Sequence, residues 1–192
     1  MATTPTPDIF RNVHKGIRKA LAEACLSLGR AGDDAHRSQV ARALLRDALR
    51  FVAHHGENED LLLLPLLEAG APGLQNELQC AHRALHREAA ALAEAADGAP
   101  AEALYTRACA FTASYFQHMH DEEQHHEPAI RAVLSLEELA AFGRRSVERT
   151  APDDQRMMLG FMLPGMTRTD AEAFLARIPA ELAEQLRSAI TA

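Results

Sequence analysis

The sequence predicts an all-α fold: an up-down-up-down four-helix bundle followed by a C-terminal helical extension. Three observations predict it. The 192-residue chain has no Trp, two Tyr and seven Phe but is crowded with Ala and Leu, which suit helices far better than sheets. Four long segments carry apolar residues at steps of three and four, the mark of one buried face per helix. Short turns containing Gly and Pro separate those segments, so consecutive helices should run antiparallel. A chain of this length can bury a core for one domain, with or without an appendage.

The first seven residues, with Pro5 and Pro7, are expected to be loose. Asp8 caps a first helix to about Leu28, stopped by Gly29 and Gly32, with a stripe of Phe10, His14, Ile17, Leu21, Cys25 and Leu28. Asp33 and Asp34 open a second helix to about Glu68, with Val40, Leu44, Ala48, Phe51, His55, Glu59, Leu62 and Leu66 on its stripe. Pro65 should kink or weaken its last turns. Pro72 starts a third helix to about Ala96, with Leu74, Leu78, His82, Leu85, Ala89 and Leu92 inward. The fourth runs from about Ala101 to Leu134 with Leu104, Ala108, Phe111, Tyr115, His118, Glu122 and His125 inward, and Pro128 repeats the late kink. These helices make a bundle over 8–134.

Residues 135–192 form the extension. Ser135-Leu-Glu-Glu138 resembles a capping box and opens a helix to about Arg149. Pro152 starts another, rich in Met and Phe, that Pro164-Gly165 stops; Thr169-Asp170 and Ile178-Pro179 mark two short helices. The Met and Phe residues are read as packing on the bundle, with a homodimer surface or a lid as the rival.

A formal charge of -7 and a pI near 5.8 argue against nucleic acid, which needs a basic face. Lys and Arg are scattered, no apolar run reaches membrane-spanning length and no signal segment stands at the N-terminus, so no membrane partner is expected and a cytoplasmic location is. Cys25, Cys80 and Cys109 are far apart in sequence and odd in number, which suits small buried hydrophobes in a reducing compartment.

The chemistry lies in a repeat. His55, Glu59, Asp60 and Pro65 recur as His118, Glu122, Glu123 and Pro128: a His, a Glu four later, a second acid, and a Pro six after the Glu. His82 and His86 make another four-residue step, and His14 stands upstream. A step of four puts two side chains on one helix face. Imidazole and carboxylate so placed are ligands for a divalent cation of intermediate hardness, with iron, manganese and zinc all suitable. These groups interrupt apolar stripes, where a carboxylate is costly unless paired or bound to metal. In antiparallel helices, positions early in helices one and three and late in helices two and four converge on one level.

Each signal has a bland reading. One His-x-x-x-His in a chain with ten His can be accident, and one His-x-x-x-Glu is often a surface pair. Accident must explain four stripes separately, which favours a single site. His36 and His120 read as solvated; His54 is rotated about 100° from His55; His125 and His126 read as an exposed helix end. No His-Glu-x-x-His, Gly-rich phosphate loop or Gly-x-Ser-x-Gly occurs.

His14, His55-x-x-x-Glu59, His82-x-x-x-His86 and His118-x-x-x-Glu122 resemble the ligand pattern of hemerythrin-like HHE cation-binding domains, bacterial members included, over about residues 8–134. The resemblance implies two iron ions bridged by an oxo or hydroxo group. It implies His82, His86 and His118 on one iron, His14 and His55 on the other, and Glu59 and Glu122 bridging. It further implies an open position for dioxygen, peroxide or nitric oxide. In oxygen carriers the last carboxylate stands five residues after its His, which is Glu123 here; Glu122 repeats the Glu59 step and is preferred. Zinc or manganese could substitute. A binding or sensing protein leads; an enzyme reducing peroxide or nitric oxide or oxidising ferrous iron, and a non-catalytic metal-binding module, are the alternatives.

Overall fold

The computed structural model describes residues 8–176, 178 and 180–187; the expectation of a loose segment over residues 1–7 falls outside them, as does Pro179 of the expected Ile178-Pro179 helix start. All regular structure among the described residues is helical. The helices are α1 (Arg11–Ala31), α2 (Ala35–Asn58), α3 (Leu64–Leu67), α4 (Pro72–Ala95), α5 (Ala101–Asp121), α6 (Glu127–Val133), α7 (Leu136–Arg149), α8 (Pro152–Gly165), α9 (Arg168–Leu175) and α10 (Ala180–Arg187). A π turn, Glu59–Leu63, joins α2 to α3, and a second, Glu122–His126, joins α5 to α6. The helices α1, α2, α4 and α5 close a ring in which each packs on two neighbours, so the structure is the helical bundle that the stripes predict.

Local chemistry sets the helix ends. The Asp8 carboxylate accepts from the backbone N–H groups of Arg11 and Asn12, and Asp34 accepts from Arg37. Gly29 does not stop α1. It lies inside the helix, where a Cβ would meet the Tyr105 ring at 3.2 Å; the stop is Gly32, at φ 51. Ser135 and Glu138 form a full capping box on α7. Thr167 caps α9 by accepting from Asp170, two residues before the expected Thr169-Asp170 start.

The two late prolines act through the π turns. Proline has no N–H and its ring crowds the carbonyl four residues back. Upstream of Pro65, the Leu64 N–H reaches five residues back to the Glu59 carbonyl; upstream of Pro128, the Glu127 N–H reaches the Glu122 carbonyl. Each π turn inserts one residue, and Pro65 and Pro128 then sit in the first turn of the restarted helix.

That insertion moves the stripe by one. Leu62 and Leu66 were expected inward; Leu63 and Leu67 take the core, with Leu62 and Leu66 at its edge. His125 stands on the expected stripe but is 68% exposed, as the reading of an exposed helix end has it, and His126 is buried instead. The start of α2 differs for another reason. The expected stripe from Val40 to Glu59 advances about 3.8 residues per turn, against 3.6 for the helix, and over five turns drifts by one residue. Val40 is accordingly exposed and Ala41 and Leu45 are buried.

The apolar core has two parts. One contains Ile17, Leu21, Phe51, Val52, Leu85, Phe111, Tyr115 and Met119; the other contains Phe10, Leu63, Leu64, Leu67, Leu78 and Ile130. His14 lies between Phe10 and Ile17 in sequence, and His82 between Leu78 and Leu85, so a polar layer separates the two parts. The extension covers one side. Leu159, Phe161, Met162 and Leu163 of α8 join the first part, against α1 and α2. A Cβ at Gly16 would stand 2.5 Å from Met162 Cγ and 3.0 Å from its Cα, so glycine is what lets α8 lie on α1. Leu139 and Phe142 of α7 join the second part.

Candidate metal centre

Six of the seven sequence-predicted residues meet in the polar layer. They form two groups of potential donors, His14, His55, Glu59 and Glu122, and His82, His118, Glu59 and Glu122, with every member buried and the donor atoms of each group within 4.8 Å of one another. His14 comes from α1, His55 from α2, His82 from α4 and His118 from α5; Glu59 and Glu122 each open a π turn. The π hydrogen bond starts at the carbonyl of each of these two glutamates, so the wide turn begins where a side chain turns inward.

Each carboxylate divides its oxygens between the groups. Glu59 Oε1 lies 3.3 Å from His55 Nε2, and its Oε2 lies 3.4 Å from His82 Nε2. Glu122 Oε2 lies 3.3 Å from His14 Nε2, and its Oε1 lies 3.0 Å from His118 Nε2 and 3.5 Å from His82 Nε2. His14 and His55 bring their Nε2 atoms within 3.1 Å of each other. Donors at about 2.1 Å from a shared cation stand roughly 3.0–3.4 Å apart, depending on tetrahedral or octahedral geometry. Both oxygens of Glu59 and Oε2 of Glu122 are buried without a hydrogen-bond partner. Buried carboxylate oxygens left so are costly, and a cation is what this donor set lacks.

His86 lies outside both groups. It is half-buried, its ring rests on Gly56, where a Cβ would stand 2.5 Å from Nε2, and its Nδ1 is 3.9 Å from Asp60 Oδ2. His54 points elsewhere, its Nε2 donating to the Thr150 hydroxyl at 2.7 Å, while that hydroxyl donates to the Ser146 carbonyl. His36 and His120 are exposed. His126 is buried, contrary to the reading of an exposed helix end, because the π turn rotates it inward; its Nε2 lies 3.3 Å from Glu77 Oε1.

The sequence flagged the second acid of each repeat but not its work. His82 Nδ1 donates to Asp60 Oδ1 at 2.6 Å, and His14 Nδ1 donates to Glu123 Oε1 at 2.8 Å. Each acid, one residue past the inward Glu, thus holds the outer nitrogen of a histidine on the next helix of the ring and turns its Nε2 inward. Arg18, one turn after His14, grips both Glu123 oxygens, at 2.7 and 3.1 Å. Glu123 therefore stands behind His14, and Glu122 stands in the groups. Phe10 stacks on the His14 ring at 5.2 Å, and Tyr115 meets His118 edge-on at 5.8 Å.

The electrostatics are those of a crowded buried cluster. Burial opposes charge on His14, but the neighbouring carboxylates of Glu122 and Glu123 outweigh it and raise its pKa to about 9. Burial likewise opposes charge on His82, and Asp60 and Glu122 raise it to about 10. Burial, with the positive charge on His14, keeps His55 well below the usual histidine range. Burial and the neighbouring Glu122 push Glu59 well up. Burial works against the Glu122 charge, and the facing imidazoles of His118, His14 and His82 override it and hold that carboxyl well down. Glu123 is lowered to about 2: burial opposes, and His14 and Arg18 prevail.

The family model described as the hemerythrin HHE cation binding domain matches residues 6–130. Neither a curated protein nor a solved structure matches the chain. Among the described residues no helix is long and apolar enough to cross a membrane.

Proposed function

The chain belongs to the hemerythrin HHE cation-binding domain family, and from that premise we propose that it is a non-haem di-iron protein that binds dioxygen or a related small oxidant such as peroxide or nitric oxide. The observation that carries this reading is the division of the two carboxylates: each gives one buried oxygen to a His14–His55 pair and one to a His82–His118 pair. Such a set fits two adjacent cations sharing Glu59 and Glu122. Nitrogen and oxygen donors together suit iron, and zinc or manganese compete for the same site.

Each position has four protein donors in its group. Iron bound there supplies a redox-active Lewis acid with positions left for a small exogenous ligand. His86, beside the His82–His118 half and sharing Asp60 with His82, is proposed as the seventh donor. Phe10, Tyr115 and Met119 are buried around the layer and keep bulk water from it. The orientation of His14 and His82 rests on Glu123 and Asp60. The apolar side chains of α8 face the bundle core, which supports a packing role for the extension over a dimer surface.

The test is metal analysis of anaerobically purified protein, with absorbance followed on adding dioxygen, peroxide or nitric oxide. The expected result is two irons per chain and a new charge-transfer band with each added ligand that binds. One metal per chain, retained in His14→Ala, shows a mononuclear site and sinks the di-iron reading. Two irons without a spectral response to any of the three ligands sinks the binding function alone.

A further inference from the structure

At the far end of the α1–α5 pair from the polar layer, two cysteines distant in sequence come together. Three contacts fix the antiparallel register of these helices. His14 faces Glu122 at 3.3 Å, Cys25 Sγ lies 3.3 Å from Thr112 Oγ1, and a Cβ at Gly29 would touch the Tyr105 ring at 3.2 Å. Cys109 stands one turn before Thr112 and one turn after Tyr105 on α5, so this register brings it to Cys25. The Cys25 thiol responds to it: burial raises its pKa, the Thr112 hydroxyl opposes, and the Cys109 thiol adds to the rise. Both thiols are free and half-buried, whereas Cys80, on α4, is free and exposed. Gly29, against the Tyr105 ring, adds no side-chain bulk between the two helices at this end.

We propose that Cys25 and Cys109 are a redox-modification site, a thiol pair that closes to an intramolecular disulfide by exchange with a low-molecular-weight disulfide such as oxidised glutathione. One thiolate attacks a glutathione sulfur, forming a mixed disulfide and releasing one glutathione thiolate. The second protein thiolate then attacks the protein sulfur of that mixed disulfide, closing the bridge and releasing the second glutathione. Two protein thiols are oxidised, one glutathione disulfide is reduced to two thiols, and no other reactant is needed. The bridge staples α1 to α5 across 84 positions of sequence, and it stands whether or not the metal reading does. The raised Cys25 pKa keeps thiolate scarce, so closure quickens with pH.

The experiment incubates the full chain with oxidised glutathione at alkaline pH, caps remaining thiols, and maps the peptides by mass. The expected product lacks two hydrogens, yields a Cys25–Cys109 linked peptide, and carries glutathione only on Cys80. Its melting midpoint stands about 5–10 °C above that of the reduced chain and returns on adding dithiothreitol. Cys80→Ser keeps the bridge, and Cys25→Ser and Cys109→Ser each leave a single glutathione adduct on the remaining partner. Separate adducts on Cys25 and Cys109 in the unaltered chain, or both thiols still capped after Cys80 has reacted in full, overturn the proposal without recourse to any variant.

Discussion

On one side of the shared carboxylates His14 meets His55 edge-on, ring centroids 5.1 Å apart at 85°; on the other, His82 meets His118 at 5.0 Å and 83°. The inner layer is nearly two-fold because the repeat is: α2 and α5 each supply a His and the π turn after each supplies a Glu, while α1 and α4 each supply one His. The outer layer breaks the symmetry. Glu123, behind His14, is clamped by Arg18 through both oxygens. Asp60, behind His82, has His82 and His86 as its ion-pair partners among the described residues. A carboxylate on the far nitrogen makes an imidazole a better donor, and a guanidinium on that carboxylate draws the charge away. The two halves therefore offer similar geometry and unequal donor strength, with the His82 half stronger.

The largest effects come from the parts the halves share. Glu59 and Glu122 give an oxygen to each group, so with two cations held as proposed Glu122→Ala should remove both, whereas His55→Ala should remove one. Metal content after loading at equal free metal reads the difference: near zero against about one per chain. If Glu122→Ala keeps one tightly held metal, the carboxylate is not shared and the two-fold picture fails.

The outer partners come next. Asp60→Asn should weaken metal binding about 10- to 100-fold at one position, the range typical of removing a carboxylate behind a ligand histidine. Glu123→Gln should cost less, because Arg18 already draws off part of that charge. Competition with a chelator of known affinity, using cobalt or zinc, separates them. Equal losses, or a greater loss in Glu123→Gln, would mean that Arg18 does not discount its partner and that the halves are equivalent.

Much of this was legible in the sequence, and what was not has identifiable causes. Steps of four placed His55 with Glu59 and His118 with Glu122, and helix lengths placed His14 and His82 at the same level. Leu62 and Leu66 were assigned to the core one residue early, and the stripe ran on to His125 where His126 is buried, since an α periodicity cannot register an inserted π residue. The signal was present, for Pro65 and Pro128 each follow an inward Glu by six, but a proline inside a helix reads as a kink before it reads as a wide turn. The work of Asp60 and Glu123 was hidden because each reaches a histidine on another helix. Cys25 and Cys109 were invisible as a pair for the same reason: only the α1–α5 register joins them.

Protons act on both halves with opposite sign in the empty and loaded states. In the metal-free protein His14 and His82 titrate near 9 and 10, above the 6.5 of an unfolded histidine. Their contribution to stability is complete below pH 6.5 and is lost as pH rises through 9 to 10. Glu123, lowered to about 2, contributes above pH 4.5 and loses its contribution as pH falls through 2. Metal needs the neutral imidazoles, so loading releases protons, and affinity should climb by up to about tenfold per pH unit between 6.5 and 9 for each proton displaced. The melting midpoint should thus fall with pH over this range without metal and rise with it. Parallel slopes for the two forms would show that the same histidines are not contested by proton and cation.

The smallest expected effect concerns His86, the one sequence-predicted donor that stands outside both groups. His86 shares Asp60 with His82 but rests on Gly56 at the half-exposed edge. The His82 half keeps two imidazoles and two carboxylate oxygens without it. His86→Ala should therefore retain two metals per chain and weaken only the His82 position, by less than about tenfold. Gly56→Ala is the companion variant. Its methyl would fall where the His86 ring lies, and the ring must swing aside, which a side chain with 32% exposure can do at little cost while the helix gains about 1 kcal/mol from losing a glycine. A stable Gly56→Ala protein with the same modest loss as His86→Ala would tie the affinity to the ring's place over Gly56. Loss of a whole metal in His86→Ala would instead make that imidazole indispensable, and the halves would then differ in their inner donors as well as in the acids behind them.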